Sequence, residues 1–335
     1  VESEFRDEWW RGLRRGWVKL ALSIFMQKGS RMKRVLVTGG HGFLGKYVMR
    51  ELDELGYEGR TFKSSEFDLT RESDCYNAIA SFEPDSVIHL AASVGGIGAN
   101  MANPATFFRK NLMMGLNLIE ACRIFRIKKF VQIGTVCSYP KFCDAPFNEQ
   151  DLWEGYPEET NAPYGIAKKT LLVMLQAYKK QYDFNSAYLI PTNMYGPGDN
   201  FDPKSSHVIP ALIRKIDEAK KTNSDLVIWG SGKATREFLY AADSAKAIVK
   251  AMEKIDSPSP INLGSGQEIS INSLVSILCE LMNFAGEIRY DDSKPDGQPR
   301  RLVDSSMAEK LLSWKAAVSL REGLQATIKY YEEKI

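Results

Sequence analysis

The five residues Arg34-Val35-Leu36-Val37-Thr38 run without a spacer into Gly39-Gly40-His41-Gly42-Phe43-Leu44-Gly45. No other feature limits the fold as much. A short, continuous apolar run bounded by glycine suits a strand buried on both faces of a parallel sheet. The helical periodicity from Leu44 to Leu55 makes the next element a helix. In the spacing GxxGxxG, Gly39 permits a tight turn, Gly42 lets a pyrophosphate approach the backbone, and Gly45 lets the helix pack on the sheet. The free N–H groups at the helix start then face an anion. Gly39, Gly42, Phe43, Leu44 and Gly45 are the expected phosphate side of a dinucleotide site.

The same alternation continues. Asp85–Ala91 reads as an apolar strand, 107–126 as a helix, Lys129–Ile133 as a strand, Pro163–Tyr182 as a helix and Ser186–Ile190 as a strand. Strands alternating with helices imply a parallel sheet covered on both faces. After about residue 195, shorter strands at Leu226–Trp229 and Glu237–Tyr240 alternate with helices near 208–221, 241–254, 270–283 and 319–333. The expected class is α/β: a doubly wound parallel Rossmann sheet (predominantly 32–194) with a smaller α/β C-terminal substrate lobe (predominantly 195–335). Residues 1–31 read as a leader or extension. Trp9, Trp10, Leu13, Trp17, Leu20 and Ile24, with basic residues between them, leave an amphipathic helix as the alternative there, but Met32-Lys33 resembles a natural start.

Composition excludes several classes. With a net charge of +2 over 335 residues, no global field favours nucleic acid. The five cysteines are odd in number and irregularly spaced, which argues against a disulfide framework or a zinc site and for a reducing, cytoplasmic setting. No apolar run is long enough to span a bilayer.

Two further stretches bear on chemistry. Tyr164 and Lys168 form YxxxK within a helical segment, so they share one face. Lys168 is placed to lower the phenol's pKa and to touch a nicotinamide ribose, and Tyr164 to pass a proton to a carbonyl oxygen. Thr135, just past the strand Lys129–Ile133, is placed to bond that same oxygen; Ser138 is its rival. At the end of the second strand an acid reads the ribose hydroxyl of NAD, and a base the phosphate of NADP. Here Lys63, Ser64 and Ser65 precede any well-placed acid, which favours NADP with NAD as the alternative, and Asp68-Leu69 fall beside the adenine.

Seven segments in order resemble the extended short-chain dehydrogenase/reductases, and within them the GDP-L-fucose synthases, over about residues 33–331. They are Ala91–Ile97, Cys137–Lys141, Pro191–Pro197, Ser206–Leu212, Trp229–Gly232, Arg236–Leu239 and Lys294–Arg300. The resemblance implies NADP-dependent 3,5-epimerisation and 4-reduction of a GDP-4-keto-6-deoxy sugar by a homodimer paired through helices near 107–126 and 163–182. Thr135, Tyr164 and Lys168 fall on the reductase triad, Cys137 on the epimerisation base and His207 on its acid partner. Cofactor contacts fall on Leu90, Ala91, Ala92, Asn111, Lys168, Pro191, Asn193, Met194 and His207. Substrate contacts fall on Asn193, Lys215, Trp229, Arg236 and Asp296. His41 and Ser64 stand where the family carries arginines, and Lys215 replaces a further arginine, so a related GDP-deoxysugar or GDP-heptose is the alternative substrate, and an NAD-retaining epimerase the alternative activity. A cationic imidazole beside Cys137 would favour its thiolate. The Asp-Glu pair that follows the threonine in 4,6-dehydratases is absent.

Overall fold

The computed structural model describes residues 33–334 apart from 96, 204, 295 and 296; the 1–31 segment and Asp296 therefore lie outside the described residues. Six parallel strands form the main sheet in the order β2-β1-β3-β4-β5-β9. They are β1 (Arg34–Thr38), β2 (Glu58–Arg60), β3 (Ser86–His89), β4 (Lys129–Ile133), β5 (Ser186–Pro191) and β9 (Pro260–Leu263). The chain winds outward from β1 to β2, then crosses back to β3 and proceeds the other way. Ligands in such sheets bind where the direction reverses, beyond the carboxyl ends of the strands.

Alternation along the strands divides the core. Leu36, Val87, Phe130 and Tyr188 point to one face, packing with α2 (Glu72–Phe82), α4 (Pro104–Ile124) and α5 (Ala162–Tyr182). Val35, Val37, Ile88, Val131 and Leu189 point to the other, where α1 (Phe43–Glu54), α7 (Ala241–Lys254) and α9 (Ser306–Leu312) cover them. Each fully buried aliphatic side chain contributes about 1.5–3 kcal/mol. Helix α1 shows the local logic: Leu44, Val48 and Leu52, four residues apart, are its buried stripe, and Gly56, at φ +75°, stops it in the left-handed region.

A third cluster builds the smaller lobe from α6 (Val208–Thr222), β7 (Leu226–Trp229), β8 (Thr235–Tyr240), α8 (Ile271–Leu281) and α10 (Leu320–Lys334). There β8 pairs with β6 (Asn193–Tyr195) and β10 (Glu268–Ser270), and β7 pairs with β11 (Ile288–Asp291). The short α3 (Ile97–Ala102) precedes α4. The chain crosses between the lobes more than once, because β9, α7 and α9 follow residue 195 yet pack on the large sheet. A sequence boundary near 194 therefore does not separate two independent spatial units.

Candidate active site

The sheet register brings the site together. Thr38 lies beside His89, His89 beside Gln132, and Ile133 beside Leu189. The segments that follow β1, β3, β4 and β5 therefore all emerge along one edge. They carry Gly39, then Leu90–Ala92, then Gly134-Thr135, and Pro191 closes β5.

The glycine loop is shaped as a cradle. Gly39 sits at φ +74°, and a Cβ there would stand 2.8 Å from the Ala91 amide nitrogen. A Cβ on Gly45 would stand 2.2 Å from the Gly39 carbonyl. The Gly42 amide donates to Gly39 O at 2.9 Å, and Gly42 caps α1 with no side-chain bond to the first-turn amides. Phe43 and Leu44 open the helix. A cradle that any side chain would fill, ending on free helix amides, fits a dinucleotide pyrophosphate. The ribose side is more open. β2 ends at Arg60, and Lys63 and Ser64 lie exposed in the turn beyond it. The Lys63 amide donates to Glu66 Oε2 at 2.6 Å, which closes that turn. Asp68 is bonded to Thr70 (Oγ1–Oδ1 2.8 Å), which holds its carboxyl below the usual range, and Leu69 is buried.

The loop after β3 is fixed from α4. Buried Asn111 accepts from the Ser93 amide at 3.0 Å and donates to the Ser93 carbonyl at 2.8 Å. Asn111 is therefore a positioning residue for Leu90, Ala91 and Ala92. Thr38 and His89, at the ends of β1 and β3, are joined through Oγ1 and Nδ1 at 2.7 Å, and the Ala91 amide donates to the same Oγ1 at 3.3 Å. Gly40 is held by Thr61 Oγ1 at 3.1 Å, a residue with no motif to mark it.

The reactive groups sit on β4's exit and α5. Thr135 Oγ1 accepts the Cys137 amide at 3.2 Å, capping a tight turn at Val136–Ser138. Ser138 donates to the Gly165 carbonyl at 2.9 Å, so it fastens this turn and is not the group facing the phenol. Tyr164 is instead hydrogen-bonded with Thr135. Burial pushes the Tyr164 phenol up, charge on the neighbouring Cys137 pushes the same way, and the Thr135 bond opposes both. The lowering expected from Lys168 is thus not what governs the phenol: desolvation dominates, and Tyr164 is held neutral. Lys168 is 1% exposed, and burial brings it down to about 8.

On the substrate side, Asn193 Nδ2 donates to Glu237 O at 3.0 Å, and Ser244 Oγ contacts Met194 Sδ at 3.4 Å. Arg236 donates to the carbonyls of Thr235 (2.7 Å) and Gln298 (2.6 Å). Trp229 is 62% exposed, and Lys215 Nζ lies 5.1 Å from its ring centre while donating to Val227 O. Lys294 Nζ lies 5.8 Å from the same ring centre, so the exposed indole stands between two cations.

His207 is the N-cap residue of α6; its ring reaches solvent, yet the surrounding protein lowers its pKa by desolvation. The helix N-terminus disfavours a cation there as well. The expected cationic imidazole is therefore not favoured here. A cation does lie against Cys137 Sγ: Arg301, whose Nη1 is 3.9 Å away. Sequence reasoning missed it: Arg301 follows the Lys294–Arg300 segment and is 164 positions from the cysteine, and no local pattern links them.

The chain is similar to known proteins over most of its length. Probable GDP-L-fucose synthase 1 of Oryza sativa subsp. japonica is 40% identical over 316 residues, which is 93% of this chain and 95% of that protein. A GDP-6-OMe-4-keto-L-xylo-heptose reductase from C. jejuni superposes with a TM-score of 0.85 at 27% identity, covering 92% of this chain and 100% of that one. A GDP-L-fucose synthetase from Naegleria fowleri bound to NADP superposes with a TM-score of 0.84 at 30% identity, covering 92% and 95%. The model of the NAD dependent epimerase/dehydratase family matches residues 35–264, a span that holds the glycine cradle, Thr135, Tyr164 and Lys168. The chain belongs to that family.

Proposed function

We propose that this chain is an NADP-dependent enzyme that epimerises carbons 3 and 5 of a GDP-linked 4-keto-6-deoxy sugar and then reduces carbon 4. One observation carries the reading: a hydroxyl–phenol pair and a thiol occupy the same few ångströms, since Thr135 bonds both Tyr164 and the Cys137 amide. Reduction alone does not need the thiol, and epimerisation alone does not need the phenol. The cofactor, when bound, supplies hydride. Tyr164 donates the proton to the carbon-4 oxygen, Thr135 orients that oxygen, and Lys168 keeps positive charge beside the phenol. Cys137 is the base that removes protons next to the ketone, and His207 is the opposite-face proton donor.

Lys63 and Ser64 would meet the ribose phosphate, and Asp68-Leu69 the adenine. Leu90–Ala92, Pro191, Asn193 and Met194 would line the nicotinamide side. Trp229 would stack on guanine, with Lys215 and Arg236 at the diphosphate. Asp296 is carried by resemblance alone.

The test is solvent deuterium exchange followed by NMR with GDP-4-keto-6-deoxymannose in heavy water. Deuterium should enter carbons 3 and 5 without NADPH, and carbon 4 should be reduced when NADPH is added. The absence of both events would remove this substrate. Lys215 in place of arginine keeps charge without a planar fork; together with the likeness to the heptose reductase, it favours a GDP-heptose as the second reading, which the same assay distinguishes by substrate.

The reading includes a homodimer through α4 and α5, supported by Val173 and Tyr182 exposed on α5. A monomer in sedimentation at working concentration would remove it. A cytoplasmic setting is supported by five free thiols. Among the described residues no helix is long and apolar enough to cross a membrane.

A further inference from the structure

Arg301 is only 8% exposed, and its contacts are unusual for a buried cation. Its Nε donates to the neutral Gln298 Oε1 at 3.2 Å, and its Nη1 reaches Cys137 Sγ at 3.9 Å. Among the described residues no carboxylate forms an ion pair with it. A buried guanidinium without a counter-charge is costly, and the group in contact that can become an anion is the thiol.

The arginine is also firmly placed. Gln298 Nε2 donates to the carbonyls of Pro140 (3.2 Å) and Lys141 (3.3 Å), which follow the cysteine turn directly. Behind it, the buried Glu237 carboxylate accepts the amides of Val303 (3.0 Å) and Gly266 (2.7 Å) and pins the segment that bears Arg301. One fork thus reaches the sulfur directly and the segment after the turn through Gln298, which a lysine's single ammonium would do less well. Tyr164 also faces the sulfur and is held as a neutral phenol.

We propose that Arg301 is the charge partner of Cys137, holding it as a thiolate and making it the base. This rests on the reading of Cys137 as the epimerisation base. In the step itself, the C–H bond at carbon 3 or 5 breaks. Its electron pair enters the enolate formed with the carbon-4 oxygen, and the proton bonds to Sγ. The guanidinium, no longer opposed by the sulfur, then faces the enolate charge. Reprotonation of the carbon from the opposite face completes the inversion, and the thiol returns its proton to solvent.

The test alkylates the full chain with iodoacetamide at pH 7 and follows Cys137 by peptide mass spectrometry in wild type, Arg301→Gln and Arg301→Lys. Arg301→Gln should slow alkylation at Cys137 about tenfold or more, and Arg301→Lys should recover most of it. Deuterium exchange at carbons 3 and 5 should fall and recover in parallel. An unchanged alkylation rate in a folded Arg301→Gln protein overturns the proposal. Should that variant not fold, wild type still decides: Cys137 alkylating no faster than N-acetylcysteine at pH 7 overturns it. Alkylation that depends on Arg301, with no exchange in wild type, leaves the charge pairing standing and removes the base role instead.

Discussion

The Ser138 hydroxyl donates to the Gly165 carbonyl at 2.9 Å, and a Cβ on Gly165 would stand 2.3 Å from the carbonyl oxygen of Cys137. The turn bearing the thiol and the helix bearing the phenol are therefore in backbone contact, and their separation is set by a missing side chain.

Gly165→Ala should drive that turn and α5 apart. We expect a loss of about 1–3 kcal/mol in stability, with deuterium exchange and NADPH oxidation both falling because both groups shift. Ser138→Ala should cost about 1 kcal/mol and leave both activities measurable. Denaturant unfolding and the two assays, run together, check the pair. A Gly165→Ala enzyme with native exchange and native reduction would show that the contact is not needed.

Tyr164→Phe removes only the proton donor. Reduction should drop by a factor of about 10²–10⁴ while NADPH-independent exchange at carbons 3 and 5 persists. The phenol's raised pKa means that no ionisation of Tyr164 should limit reduction below pH 9. A falling limb in the rate profile near neutrality that disappears in this variant would contradict the assignment.

Lys168 is a cation that the fold pays to bury. Its pKa is near 8 when folded, against 10.5 for the free side chain, so the folded state sheds the proton first. The burial penalty is fully present below pH 8 and is relieved as pH rises towards 10.5. Lys168→Met should therefore raise stability at pH 7 by on the order of 3 kcal/mol, with the gain shrinking through pH 8–10, while reduction is lost. Thermal unfolding across that range measures it, and a variant less stable at pH 7 would refute the sign.

Asp199, just beyond β6, is 8% exposed, and its Oδ2 has no hydrogen-bond partner among the described residues. Burial raises it to about 7. Because the folded form holds its proton more tightly, this group's contribution is greatest below pH 4 and is lost as pH rises through 7. Asp199→Asn should thus melt several degrees higher than wild type at pH 8 and match it near pH 4. Equal melting at both values would mean that the carboxyl is solvated.

What the sequence disclosed follows from distance along the chain. The turn from β1 into α1 and the Tyr164/Lys168 pair are local patterns, visible in a dozen residues and set by periodicity and glycine. Arg301 against Cys137 is visible only once β8, β10 and the 298–303 segment have been folded against β4. His207 was reached through the family resemblance, but its charge state depends on surrounding protein that no neighbour in sequence encodes. The phenol of Tyr164 was read from its lysine and turned out to be governed by burial, a property of the assembled core. β9 is not among the strands read from the sequence, and no residue within it says which sheet it will join.

That last strand has a consequence for how the chain is made. β5 ends at Pro191, and among the described residues its outer edge is paired by β9 alone, which begins at Pro260. During synthesis the five earlier strands emerge first, and until Pro260 has left the ribosome they present an open, apolar edge of the kind that recruits other strands. A fragment cut after Tyr195 would keep the glycine loop and the Tyr164/Lys168 pair but carry that edge permanently. It should aggregate, not bind nucleotide. β9 is thus what closes the growing sheet on this side, and translation through residue 263 supplies its last strand.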